Sequence, residues 1–351
     1  MSSPTLVPSA LELIEGASRA YTTRRVPLEA MRCLSTACLP QSGDLVLARV
    51  SEIGHHKRLH LPGGGKRNLF PGDLVIVPYA DRYAPNQFEA RVPRDLGPCH
   101  LVAAGGIAGR VEASHQKVRR GPTTLRPLGL VASDPEAPPL NVAGWGLAPP
   151  ARPVRGGIPV IAIVGTSMDS GKTTAAAYLT HGLHRHGIRV GYAKVTGTGA
   201  AGDPGLLHDA GASPVLDFTD LGYASTYRIA PRIVEALYRE SIAHLEAAGV
   251  DVIVLEVADG LLQRETARLL ASKTFAELTH GVLFCAAEAM GAVAGHAWLR
   301  AKGLPVLGLA GRLTTAPLQI REAREATGST VFGLAELGDP STARKLVAVR
   351  R

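Results

Sequence analysis

The sequence predicts an α/β protein: a mostly parallel sheet covered by helices, preceded by a smaller β-rich, barrel-like domain. Three observations predict it. A Pro- and Gly-rich break between about Ser133 and Gly157 divides the chain. Before the break, Gly-Asp turns lead into short runs of β-formers. After it, apolar runs alternate with helical stretches, as in a parallel sheet with helices on both faces.

The elements follow in chain order. Residues 1–40 form an N-terminal segment that reads as partly helical over Ala10–Ala37. Residues 41–147 form the β-rich domain. There Gly43-Asp44 leads into Leu45–Val50 and Gly72-Asp73 into Leu74–Val77, and further apolar runs lie at Leu101–Ala103 and Leu125–Val131. Residues 148–157 read as a linker. In residues 158–351 the expected order starts with strand Pro159–Val164, helix Gly171–His186, strand Arg189–Val195 and helix Ala230–Ala248. Strand Val252–Val257, segment Leu261–Ser272, strand Gly281–Cys285 and helix Glu288–Ala301 continue it. Strand Pro305–Leu309, helix Pro317–Ala326 and a last apolar run Val331–Leu334 complete it.

Composition limits the function classes. The chain has 351 residues, 46% hydrophobic and 19% charged, which suits packed cores rather than a disordered polymer. No apolar run approaches the roughly 18–20 residues of a membrane span, and Met1–Ala20 lacks a basic-then-apolar signal pattern, so a cytoplasmic protein with no membrane partner is expected. Cys33, Cys38, Cys99 and Cys285 read as ordinary thiols of a reducing compartment. The net charge is +8, and residues 1–150 carry 17 Lys/Arg against 12 Asp/Glu. That excess favours anionic partners in general and leaves nucleic acid as a less favoured one.

The most informative stretch follows the first strand of the second half. Pro159-Val-Ile-Ala-Ile-Val164 is apolar throughout, as a strand buried on both faces should be. It runs into Gly165, Thr166, Ser167, Met168, Asp169, Ser170, Gly171, Lys172, Thr173 and Thr174, and then into an Ala-rich helical stretch. Strand, glycine-bounded loop ending in Gly-Lys-Thr, and helix are the setting of a Walker A phosphate loop. Successive backbone N–H groups would cradle phosphates, and the helix N-terminus adds its dipole. Lys172 would place a cation on the β- and γ-phosphates, and the Thr173 hydroxyl would hold Mg²⁺. The whole loop, Gly165 to Thr174, is therefore the expected nucleotide contact in a P-loop NTPase domain. Leu61-Pro-Gly-Gly-Gly-Lys-Arg67 lacks both the ending and the strand, and reads as a flexible loop.

Five residues separate Gly165 from Gly171, and this Gly-Thr-x-x-x-x-Gly-Lys-Thr pattern resembles dethiobiotin synthetase and the cobyrinate-type amide synthases, of the SIMIBI class of P-loop proteins. The resemblance covers roughly Gly157–Leu334. The partitioning ATPases of that class carry a lysine where this chain has Ser167. Val190-Gly-Tyr-Ala-Lys194-Val-Thr-Gly-Thr198-Gly199 is similar to the second strand of dethiobiotin synthetase; by resemblance Lys194 contacts substrate and transferring phosphate. Asp251-Val-Ile-Val-Leu-Glu256 looks like a Walker B strand, which makes Glu256 the second expected Mg²⁺ ligand. Asp259 is a further ligand or base, or equally a turn former before Gly260. Where the family reads adenine with an asparagine, this chain has Gly311, and no guanine-reading Asn-Lys-x-Asp is present. ATP is the nucleotide, and a homodimer the assembly, that the resemblance implies.

Other residues invite chemistry more weakly. His55, His56 and His60 lie in a basic loop that reads as solvated or anion-binding. Cys285 lacks a nucleophile elbow and reads as a buried strand thiol. Asp169 reads equally as a carboxylate facing metal or substrate and as a plain charge at the helix N-terminus. Asp203, Asp217 and Asp220 read first as surface turn residues, and as metal- or substrate-binding in the alternative, in a stretch that borders the site. Arg264 reads as a cation for an acidic substrate. The function these features favour is ATP- and Mg²⁺-dependent phosphoryl transfer to an acidic small molecule, by an amide-forming ligase or a small-molecule kinase with Lys172, Lys194 and Asp259 as catalytic residues. The rival readings are a nucleic-acid-acting ATPase or polynucleotide kinase, and a nucleotide switch or metallocofactor chaperone.

Overall fold

The structure is a computed structural model, which describes residues 9–150, 154 and 156–348. Part of the expected linker, residues 151–153 and 155, lies outside the described residues. The chain divides into two compact units. The first comprises Met1–Leu147 with two segments from the second half, Thr198–Ala201 and Thr219–Ser225. The second comprises Ala148–Gly197, Gly202–Phe218 and Thr226–Arg351.

The N-terminal unit begins with α1 (Ala10–Glu15), whose first turn is closed by Ser9 and Glu12 bonding each other's backbone N–H. Its strands are β1 (Ser18–Arg19), β2 (Cys33–Ser35), β3 (Leu45–Glu52), β4 (Arg58–His60), β5 (Lys66–Asn68), β6 (Leu74–Pro78), β7 (Arg82–Tyr83), β8 (Phe88–Arg91), β9 (Cys99–Ala103), β10 (Ile107–Ser114) and β11 (Thr123–Ala132). A nine-stranded sheet runs β1-β6-β3-β11-β9-β10-β8-β7, with β2 also on β11. The sheet is strongly curled: a bridge from Tyr79 to Ala108 returns the end of β6 to β10. Curling explains why the predicted strands read as unbroken apolar runs. On β3, Val46, Ala48 and Val50 enter one apolar cluster while Leu45 and Leu47 enter another, so both faces are covered.

One expectation for this half is corrected. His56 is not in a solvated loop; it is buried, with Nε2 3.0 Å from the Val102 carbonyl and 3.1 Å from Arg82 Nη1. The stretch Leu61–Arg67 is the tip and first residues of a hairpin joining β4 to β5, closed by Leu61 N–H donating to the Gly65 carbonyl at 2.8 Å.

The second unit contains β12 (Val160–Gly165), α2 (Lys172–Arg185), β13 (Val190–Lys194), α3 (Gly202–Asp209), β14 (Val215–Asp217), α4 (Pro231–Ala247) and β15 (Val252–Glu256). These are followed by α5 (Arg264–Leu270), α6 (Lys273–Leu278), β16 (Gly281–Cys285), α7 (Ala289–Ala301), β17 (Val306–Ala310), α8 (Pro317–Thr327), α9 (Leu334–Leu337) and α10 (Pro340–Val347). The six strands are all parallel, in the order β14-β13-β15-β12-β16-β17. The central β12 is buried along its whole length. Ile161 and Ile163 on one face join Val254, Leu283 and the apolar side of α2 and α10 in one cluster. On the other face α7 seats closely because Gly295 leaves room for the Phe284 ring.

The run Val331–Leu334 is not a strand. Val331 makes a single bridge to Leu309, and Leu334 already opens α9, where Glu336 accepts the Gly333 N–H at 2.5 Å. Helix α3 went unanticipated because Gly202-Asp-Pro-Gly reads as a turn; Pro204 instead occupies the first helical turn, where a missing N–H costs nothing. Among the described residues no helix is long and apolar enough to cross a membrane.

Candidate functional site

The site grows from the end of β12. Three backbone bonds fix the following loop: Thr166 N–H to the Cys285 carbonyl at 2.9 Å, Leu261 N–H to the Gly165 carbonyl at 3.1 Å, and Arg312 N–H to the Ser170 carbonyl at 3.0 Å. The loop turns through left-handed backbone at Asp169 (φ 62°) and Gly171 (φ 96°) before entering α2. Gly171 is needed twice over, since a Cβ there would also sit 3.1 Å from Gly311 Cα. Gly260 is needed for closeness alone: its Cβ would lie 2.8 Å from Ser167 Cα.

Inside this loop Lys172 is 6% exposed. Its ammonium donates to the Ser167 carbonyl at 2.8 Å and the Asp259 carbonyl at 2.6 Å. Burial lowers its pKa, against the raising pull of Glu256 and Asp259. The hydroxyls of Thr166 and Ser170 are buried without a hydrogen-bond partner. Buried hydroxyls usually find partners, so two orphans in one glycine-bounded loop mark a place built for acceptor oxygens from outside. Thr173 is half-buried at the start of α2, Thr174, Ser167 and Asp169 are exposed, and Met168 is half-buried.

A second set of groups stands beside the loop. Strand register puts Lys194 level with Glu256, and Glu256 level with Ile163 of β12. Glu256 is buried; it accepts from the Tyr192 hydroxyl at 3.0 Å and pairs with Lys194 Nζ at 3.3 Å. Lys194 also pairs with Asp203 at the start of α3. Burial pushes the Lys194 ammonium down, but Glu256, Asp203 and Asp259 together override this and raise its pKa. The Tyr192 phenol is raised well above its usual range by burial, then by Glu256. Asp259 is half-buried, and its carbonyl faces Lys172.

The structure thus brings together Lys172, Lys194, Glu256 and Asp259, with Thr173 at the foot of the same helix. Tyr192 and the Asp203–Lys194 pair were missed by sequence reasoning. Tyr192 had a signal: two residues before Lys194 on a strand, it shares that residue's face. Asp220 belongs instead to the N-terminal unit, where Arg24 pairs with it at 2.6 Å. Asp217 is buried at the end of β14, and Arg264 is exposed. Cys285 is a buried thiol pushed up to about 12 by burial.

No family model and no curated protein matches the chain. Solved structures similar to parts of it include the signal recognition particle receptor FtsY from Elizabethkingia anophelis, at 15% identity and TM-score 0.37 over 54% of this chain and 66% of that one. Its complex with GDP matches at 16% identity and TM-score 0.38, over 55% and 65%. The signal recognition particle 54 kDa protein from Aeropyrum pernix K1 with GDP matches at 22% identity and TM-score 0.38, over 59% and 49%. This chain therefore spans less than two thirds of each of these three structures. These neighbours are P-loop proteins of the SIMIBI class, and values this low assign no activity here. They are neither ligases nor kinases, and they lend no support to the dethiobiotin synthetase resemblance. The expectation of a ligase or small-molecule kinase is accordingly corrected. In the structure Lys194, expected to reach substrate and transferring phosphate, is paired with Asp203 and Glu256.

Proposed function

We propose that this chain is a magnesium-dependent P-loop nucleoside triphosphatase that works as a nucleotide switch. The observation that carries the reading is the loop from Gly165 to Thr174, with a buried lysine and two buried, unpartnered hydroxyls facing no acceptor of their own. A triphosphate tail supplies those acceptors. Lys172 would exchange the Ser167 and Asp259 carbonyls for phosphate oxygens, a swap of neutral acceptors for charged ones that favours binding.

Thr173 fits a magnesium site: it is a half-buried hydroxyl residue in the first turn of α2. Glu256 fits in part, because both its oxygens are engaged by Tyr192 and Lys194, and it would act on the ion's outer shell. When bound, the ion would neutralise charge on the β- and γ-phosphates. The chain's own residues position the tail: the loop amides orient it, Lys172 offsets its charge, and Gly260 and Gly311 let backbone close around the loop.

The switch reading rests on the Lys194 arrangement. A lysine balanced between internal carboxylates has two available sets of anionic partners, its own and a γ-phosphate, which is the requirement for a nucleotide-dependent state. ATP is the nucleotide implied by resemblance, and GTP is the other arm of the test. Equilibrium binding of Mg·ATP and Mg·GTP, together with single-turnover phosphate release, checks the proposal. Binding with slow hydrolysis, both lost in Lys172→Met, is expected. Absence of binding of either nucleotide to the folded wild-type chain overturns it.

A further inference from the structure

Helix α3 is held to its unit by few groups. Its one buried residue is Leu207, and Gly202 and Gly205 have open space where a side chain would stand. The second anchor is Asp203, whose carboxylate pairs with Lys194. The side chains of that pair are 12% (Lys194) and 32% (Asp203) exposed, so the anchor is partly shielded from water. Segments with little apolar burial lie at the low end of local stability.

Lys194 has a competing demand. It pairs with Glu256, whose charge also acts on Lys172, and the two ammonium groups disfavour each other's charge. Placing a γ-phosphate on Lys172 adds negative charge within reach of Lys194. A phosphate there would compete with Asp203 for Lys194. A diphosphate, lacking the terminal group, exerts no such pull.

We infer that Asp203 is a positioning residue that holds Lys194 in the triphosphate-free state, and that α3 (Gly202–Asp209) is the segment released when a γ-phosphate draws Lys194 away. This rests on the nucleotide reading above. The consequence runs along the chain, because the residues before α3 are pinned. Gly199 N–H donates to the Ala224 carbonyl at 3.0 Å, and Ala201 N–H to His60 Nδ1 at 3.2 Å. Release therefore takes effect from Gly202 onward, at a glycine with room to turn.

The test compares the wild-type full chain with Asp203→Asn and Asp203→Glu, using a non-hydrolysable triphosphate analogue and the diphosphate. Asp203→Asn removes the competing carboxylate charge, so the ratio of triphosphate to diphosphate affinity should rise about fivefold, and Asp203→Glu should return it to near the wild-type value. Hydrogen exchange should show α3 opening with triphosphate but not diphosphate in the wild-type chain, and open with either in Asp203→Asn. A change that merely loosened the fold would weaken both nucleotides alike and leave the ratio unmoved. Nucleotide binding with an unchanged ratio and unchanged exchange at 202–209 overturns this inference alone. A wild-type chain that binds neither nucleotide overturns the nucleotide reading, and this inference with it.

Discussion

Replacing Lys172 with methionine separates folding from function in this protein. The lysine makes two charge-assisted bonds to carbonyls, together about 3 kcal/mol. Against that stands the cost of holding an ammonium at 6% exposure. That cost shows as a lowered pKa, and each tenfold weakening of proton binding corresponds to about 1.4 kcal/mol. Methionine keeps most of the apolar stem and removes both the bonds and the buried charge. The net stability change should therefore be small, about 1–2 kcal/mol destabilising. Phosphate binding loses a cation aimed at developing charge, worth about 3–4 kcal/mol, or about a hundred- to a thousandfold in hydrolysis. Urea unfolding alongside single-turnover phosphate release measures both. A folded Lys172→Met chain that hydrolyses triphosphate within tenfold of wild type would refute the reasoning, since the buried ammonium would then be only a loop strut.

Other outcomes follow from the same geometry. Gly260→Ala places a methyl 2.8 Å from Ser167 Cα, so it should cost about 1–3 kcal/mol of stability and weaken nucleotide binding by isothermal titration; unchanged affinity would mean the phosphate loop is not packed there as described. Thr173→Ala should raise the magnesium concentration needed for half-maximal nucleotide binding about tenfold, with little effect on metal-free binding; an unaltered magnesium titration sinks the ligand role. His56 has its pKa lowered to about 3, chiefly by burial and then by Arg82. The unfolded chain takes up the proton first as pH falls, so stability should decline below about pH 6.5, by up to about 1.4 kcal/mol for each step of one in pH. Denaturation at pH 7.5 and 5.5, with His56→Gln as the flattened control, measures this; equal slopes in both would count against it.

The sequence was most legible where covalent pattern and chemistry coincide. The run Pro159–Val164 had to be a doubly buried strand, and its junction with Gly165–Thr174 announced a tight glycine-bounded turn into a helix, because glycine spacing is a local fact. Side-chain partnerships were not local. Lys194 meets Glu256 62 residues along, and only strand order makes them neighbours. Asp203 stood in a Gly-Pro-rich stretch where composition hid a helix. The burial of His56 was invisible because its neighbours Lys57 and Arg58 make the stretch look solvated, while the groups it meets, Val102 and Arg82, lie far along the chain. The curl of the first sheet likewise depends on Tyr79 finding Ala108, which no window of sequence contains.

The N-terminal unit borrows Thr198–Ala201 and Thr219–Ser225 from far downstream. During synthesis, then, the packing of this unit cannot be finished until Ser225 has left the ribosome; a fragment cut at Leu147 would keep Arg24 but lack Asp220, and keep Gly105 but lack the backbone of Gly199 that lies against it. Such a fragment should be sticky and short-lived, and the two halves are better regarded as one translation product that matures together than as modules free to be shuffled.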